Sequence, residues 1–215
     1  MTISGQITIE KILRYLFFLL SIGAAAMLLL NLSTYLGIGG DEAMIRGWVN
    51  YGRYPPQPAE FPIENGEIKI HNIGHIQFAV VHFEHFSSLL RGLPLTCLLA
   101  LVLSDFAILL VLYQLMHIFR SLDMGAVFRS NNMRRIRLIA FAVLAFPILT
   151  YMGSFLLSTY IQRSGSWETE GFRAVYPAIS GERVLFGALI ALIILALLKA
   201  FKLGNQLQQE QDLTI

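Results

Sequence analysis

Four long apolar blocks dominate the chain, and its polar residues gather between them. The blocks run from roughly Tyr15 to Leu36, Leu93 to Phe119, Ile136 to Ile161 and Val184 to Phe201. At about 1.5 Å per residue, each reaches across a hydrocarbon core of about 30 Å, the fourth only just. Lipid offers a peptide backbone no hydrogen bonds, so such blocks are expected as helices that close their own. Lys11 and Arg14 precede the first block, as the basic region of a signal peptide would. The apolar stretch continues through Leu32 to Tyr35, beyond the ~7–15 residues of a signal core, so a retained anchor is expected.

Between the first two blocks the pattern changes. Pro55, Pro56, Pro58 and Pro62 forbid helix and favour an extended path over Tyr51–Pro62. From Phe61 to Ile70 apolar and polar residues alternate around Asn65-Gly66, a strong hairpin signal because both turn residues tolerate positive φ. His75 to Val80 reads as a third extended piece. Two strands alone are marginal in water, so this element is expected to lean on the helices or on other chains. The predicted fold is an all-α membrane protein, a four-transmembrane-helix bundle with a small extracytoplasmic cap that contains a β-hairpin. Its order is an N-terminal segment 1–14, span 15–36, outer loop 37–92, span 93–119, basic turn 120–135, span 136–161, outer loop 162–183, span 184–201 and tail 202–215.

Composition agrees. Of 215 residues only 14% are charged and 55% are hydrophobic, against about 25% charged in a soluble domain. The net charge of +2 says less than where the charges lie. Lys11, Arg14, Arg120, Arg129, Arg134, Arg135, Arg137, Lys199 and Lys202 fall on one side, with Glu10, Asp123, Glu210 and Asp212. The other side holds seven basic residues and nine acids over longer loops. Basic residues beside short loops resist translocation, so both termini and the 120–135 turn are expected in the cytoplasm. Arg134, Arg135 and Arg137 therefore read as a topology determinant that touches lipid headgroups, and no nucleic-acid partner is expected. Cys97, the single cysteine, excludes an intrachain disulfide and reads as a small packed hydrophobe.

Candidate chemistry is sparse. Asp105 sits near the middle of the second span, where an ionised carboxylate costs at least ~2.5–3.5 kcal/mol and must meet protein or water. Thr150, Ser154 and Ser158 recur every four residues on the third span, which also carries Pro147 and Gly153, and they offer it a polar stripe. Asn31 and Ser33 on the first span are further candidates, and Gly187 and Ala191 give the fourth a small-xxx-small spacing. A tie between helices outweighs a proton or cation relay, because no second acid or base lies at mid-span. The outer loop holds His71, His75, His82 and His85, with Glu84 among them. His82 and His85 would share a face if helical, while His71 and His75 on one strand would lie over ~12 Å apart. Surface histidines are therefore favoured over a metal site, with a response to external acidity as a further expectation. No P-loop, Gly-x-Ser-x-Gly or zinc-protease pattern is present, and no cofactor is expected.

After the second span the chain reads Phe119-Arg-Ser-Leu-Asp-Met-Gly125-Ala-Val-Phe128-Arg-Ser-Asn-Asn132-Met-Arg134-Arg135-Ile-Arg137. This segment resembles the signature of the DUF2975 family of bacterial membrane proteins, in which a Gly-x-x-Phe turn precedes an Asn and an Arg-rich helix start. The resemblance implies no established activity. Some relatives are encoded beside small helix-turn-helix regulators, which implies a signalling or sequestration role. Physically, Gly125 suits a tight turn and Phe128 a ring at the headgroup boundary, while Ser130 or Asn131 is placed to cap the next helix.

The favoured reading is a non-enzymatic signalling or regulatory protein of an inner (plasma) membrane, acting through protein contacts. Its partners would be the bilayer, a cytoplasmic regulator at the turn around Gly125, Phe128, Asn132, Arg134, Arg135 and Arg137, and further copies of itself. The rival is a small transporter or channel component that uses Asp105. A third option is an external metal-dependent enzyme or metal-binding protein built on the histidines.

Overall fold

The computed structural model describes residues 9–38, 43–51, 59–63, 66–73, 76–122, 130–164, 175–177 and 181–212. In chain order the elements are α1 (Ile9–Tyr35), β1 (Ala43–Tyr51), β2 (Ala59–Ile63), β3 (Gly66–Ile73), β4 (Ile76–Phe83), α2 (Phe86–Leu89), α3 (Gly92–Leu122), α4 (Ser130–Ser164), β5 (Val175–Pro177) and α5 (Gly181–Asp212). Among the described residues, α1, α3, α4 and α5 are long and apolar enough to cross a membrane. Their apolar side chains are widely exposed, Met27 at 67% and Leu185 at 73%, which suits a surrounding of lipid rather than water. The chain divides into two compact units, one of Met27–Asp105 and Pro147–Val184, the other of Met1–Ala26, Phe106–Phe146 and Leu185–Ile215.

The first unit is built on a five-stranded antiparallel sheet in the order β2-β3-β4-β1-β5. This β element is larger than the hairpin and third extended piece the sequence predicts, adding β1 and β5. Ile45 and Val49 of β1, Ile68 and Ile70 of β3, and Ala79, Val81 and Phe83 of β4 alternate along their strands and share one buried face. That face packs with Tyr35 of α1, Leu89 of α2, Cys97 and Leu98 of α3, and Leu157 and Ile161 of α4. Full burial of each large apolar side chain is worth about 1.5–3 kcal/mol. Helices thus supply the support that two strands alone would lack.

Two glycines stand at close contacts. A Cβ on Gly47 would stand 2.5 Å from Leu157 Cδ2, so β1 lies directly on α4 there. Gly66 has φ 153°, and a Cβ on it would run into the carbonyl oxygen of His82. The hairpin closes with Ile63 opposite Gly66, one residue earlier than a turn centred on Asn65-Gly66; Glu64 and Asn65 lie outside the described residues. Both sheet edges are blunted. β2 has five residues and contains Pro62, and β5 has three and ends at Pro177, which discourages edge-on addition of another strand.

The second unit consists of helical segments. Phe17 of α1 stacks on Phe119 of α3 with ring centroids 4.9 Å apart, and Tyr113 meets His117 edge-on at 4.5 Å. Small residues are buried here: Ala107 on α3, Ala140 and Ala142 on α4, and Gly187 and Ala191 on α5. Helices in lipid gain contact by close backbone approach, and the small-xxx-small face of α5 is its buried one. Phe186, Leu189, Ile193 and Leu197 on the same helix are exposed.

Candidate functional site

Within the sheet-bearing unit, Asp105 on α3 is half-buried and accepts a hydrogen bond from Asn31 Nδ2 of α1 at 3.1 Å. Asn31 and Asp105 are 74 residues apart in sequence, so this bond joins two spans. Ser33, the other first-span candidate, donates to the Leu30 carbonyl of its own helix. Thr34, one residue on, donates to the same carbonyl at 2.8 Å and accepts from Arg46 Nη2 of β1 at 2.7 Å. Buried Tyr35 stands within electrostatic reach of Asp105, Cys97 and Arg46. On α4, Ser154 and Ser158 are buried and Thr150 half-buried, and Ser158 donates to the Phe155 carbonyl. Cys97 Sγ donates to the Gly153 carbonyl at 3.3 Å, where a Cβ on Gly153 would stand 2.9 Å from Leu101 Cδ2. The C-terminal end of α1 is thus held by an amide–carboxylate contact inside the span and a guanidinium–hydroxyl contact beside it.

Three of the four outer-loop histidines fall among the described residues, along or just after the sheet strands. His71 lies on β3 opposite Phe78, and His75 lies outside the described residues. His82 and Phe83 end β4 and α2 starts only at Phe86, so His82-Phe83-Glu84-His85 is not helical and does not share a face at i and i+3. Phe83 is buried in the core and fixes this strand end, while Glu84 and His85 are exposed. His82 sits opposite Glu67 of β3 and Met44 of β1. Lys69 Nζ lies 2.6 Å from Glu67 Oε1 and 3.7 Å from Glu60 Oε1, and its hydrogen bond to Glu67 holds the ammonium above the usual lysine range. Among the described residues no three His, Cys, Asp or Glu side chains converge as metal ligands would.

In the helical unit the end of α3 is tied to the start of α4. Asn132 is buried, and its Nδ2 donates to Ser121 Oγ at 2.6 Å; Ser121 in turn donates to the Ile118 carbonyl. Arg135 Nη1 donates to the His117 carbonyl at 3.1 Å and lies 3.4 Å from Asn132 Oδ1. His117 lies five residues before the end of α3, so Arg135 adds a second donor to a carbonyl inside that helix and joins α4 to it. Arg134 and Arg137, one turn apart on one face, remain exposed. Gly125 and Phe128 lie outside the described residues.

The family described as "Protein of unknown function (DUF2975)" matches residues 50–215. The chain belongs to this family. Comparison with curated proteins found no match, and comparison with solved structures found none. With its four apolar helices, this DUF2975 chain is a multi-pass membrane protein. The family match begins at Asn50, so α1 with Asn31 and Thr34 lies before it, while Asp105 and the tie around Asn132 lie within it.

Ser121, Arg46 and Lys69 are the contacts that sequence reasoning missed. Ser121 stands inside the quoted DUF2975 segment, eleven residues before Asn132, and a polar residue in the last turn of an apolar helix was its signal. Arg46 and Lys69 carried no such signal, because their partners depend on strand register and on where α1 ends.

Proposed function

We propose that this DUF2975 protein is a non-enzymatic signalling or regulatory protein of an inner (plasma) membrane that acts through protein contacts. The termini and the 120–135 turn lie in the cytoplasm, the sheet lies outside, and a cytoplasmic regulator docks on the basic turn. The observation that carries this reading is the division of labour among the three arginines of α4. Arg135 is committed to the His117 carbonyl and the Asn132 amide, which fixes the start of α4. Arg134 and Arg137 project from that fixed start on an exposed face. A fixed helix start that presents two guanidinium forks lowers the ordering cost of binding an acidic protein surface.

Photocrosslinking in native membranes tests this. A photoreactive residue at position 134 or 137 is expected to give one discrete protein adduct, and Asn132→Leu in the same chain is expected to reduce its yield at least threefold. Adducts confined to lipid, or a yield indifferent to Asn132, would remove the reading.

A further inference from the structure

The sheet face turned away from the core gathers carboxylates, imidazoles and cations from every strand but β5, whose outward position is Tyr176, opposite Asn50. Glu60 stands on β2, Glu67, Lys69 and His71 on β3, His82 on β4 and Arg46 on β1, and the register decides which of them meet. Glu60 is opposite Lys69. Glu67 is opposite His82, which has Met44 on its other side. Arg46 is opposite Val80 and sends its guanidinium to Thr34, and His71 is opposite Phe78. Glu84 and His85 follow β4 and are exposed, and α2, packed beside them, brings no titratable group. Directly opposed residues of an antiparallel pair hold their Cβ atoms about 4.5–5.5 Å apart, well within reach of a carboxylate and an imidazole.

Lys69 nevertheless makes its close contact within its own strand, 2.6 Å to Glu67, and stands further, 3.7 Å, from the cross-strand Glu60. The shorter ion pair therefore ties no two strands together. Histidine is the side chain whose charge ordinarily changes between pH 5 and 8. A proton on His82 places a full positive charge directly across from Glu67, which Lys69 now holds by a flexible stem. Lys69 has a second carboxylate within easy reach.

We infer that the sheet is an acid-tightened clasp: protonation of His82 draws Glu67 across to β4 and transfers Lys69 to Glu60 on β2. In the acid form both ion pairs bridge neighbouring strands, β3 to β4 and β2 to β3. The short edge strand β2, interrupted by Pro62, gains most. The inference deepens the proposed function by naming acidity outside the membrane as a condition to which the protein responds. Only the side of the membrane that is sensed rests on that reading; the exchange itself does not.

The test uses the full-length protein in detergent micelles at pH 7.5 and 5.5. A zero-length carbodiimide joins Lys69 to whichever carboxylate it touches, and fragment-ion mass spectrometry gives the ratio of Lys69–Glu60 to Lys69–Glu67 links. The ratio is expected to rise at least threefold from pH 7.5 to 5.5 in the native chain and to stay constant in His82→Gln. Equal ratios at the two pH values, or a rise that persists in His82→Gln, would overturn the exchange. An independent readout in the native chain guards against a misfolded variant. Amide exchange of residues 59–63, corrected for its intrinsic pH dependence, is expected to slow in acid, and unchanged protection would count against the clasp. Reporter fusions that placed the sheet in the cytoplasm would remove the proposed function and leave the ion-pair exchange standing.

Discussion

Asp105 shows how a single carboxylate is accommodated in a span. Its donor is the Asn31 amide on another helix, so replacement by asparagine keeps an acceptor in place while leucine leaves the Asn31 N–H without one. Asp105→Leu is expected to lower stability by about 1–2 kcal/mol, the scale of polar contacts between membrane helices, and Asp105→Asn by much less. Denaturant titration of the purified protein checks the order; equal losses would show that the hydrogen bond contributes nothing. Asp105 was legible in the sequence because it is the one acid in the middle of a span. The choice of Asn31 rather than Ser33 was not, since Ser33 satisfies its hydroxyl on the preceding turn and only helix rotation decides this. Gly47 poses the opposite problem. Alanine there would press on buried Leu157, so Gly47→Ala is expected to cost about 1–3 kcal/mol by overpacking. Pairing it with Leu157→Ala is expected to cost less than the two single changes summed, which a double-mutant cycle measures.

Elements differ in how much of their support is local. A membrane helix closes its own hydrogen bonds, so an apolar block of sufficient length announces it, as α1, α3, α4 and α5 do. A strand needs partners elsewhere in the chain. β1 is the clearest case: its inward positions Ala43, Ile45, Gly47 and Val49 alternate, but Gly47 interrupts the apolar series at the point where β1 lies on Leu157. The feature that permits the packing therefore erased the signal. β5 comes from the loop after α4, and three residues are too few to read in isolation. The tie from α3 to α4 lies between these extremes, with its amide and arginines visible in the signature and its acceptors hidden. Asn132→Leu would leave Ser121 Oγ and Arg135 short of a buried partner, and a loss of about 1–3 kcal/mol is expected. Arg134→Ala on the exposed face is expected to be nearly neutral, and thermal unfolding of the two variants in the same detergent distinguishes them.

For the whole molecule, orientation in a bilayer is a matter of where the positive charges lie. Nine basic residues flank the spans on the side assigned to the cytoplasm and seven lie on the other, so the bias is narrow and concentrated in one place. Arg134, Arg135 and Arg137 make up a third of the nine, next to a short turn where each counts fully. Replacing all three with Gln leaves six against seven and removes the preference. A C-terminal reporter active only in the cytoplasm is expected to show one orientation in the native chain and a mixed population in the triple variant. The single change Arg135→Gln separates orientation from folding, because Arg135 alone of the three holds the His117 carbonyl. It is expected to lower stability while leaving the reporter signal per folded molecule unchanged. If Arg135→Gln inverted the protein as strongly as the triple change, orientation would follow the fixed turn and not the count of charges.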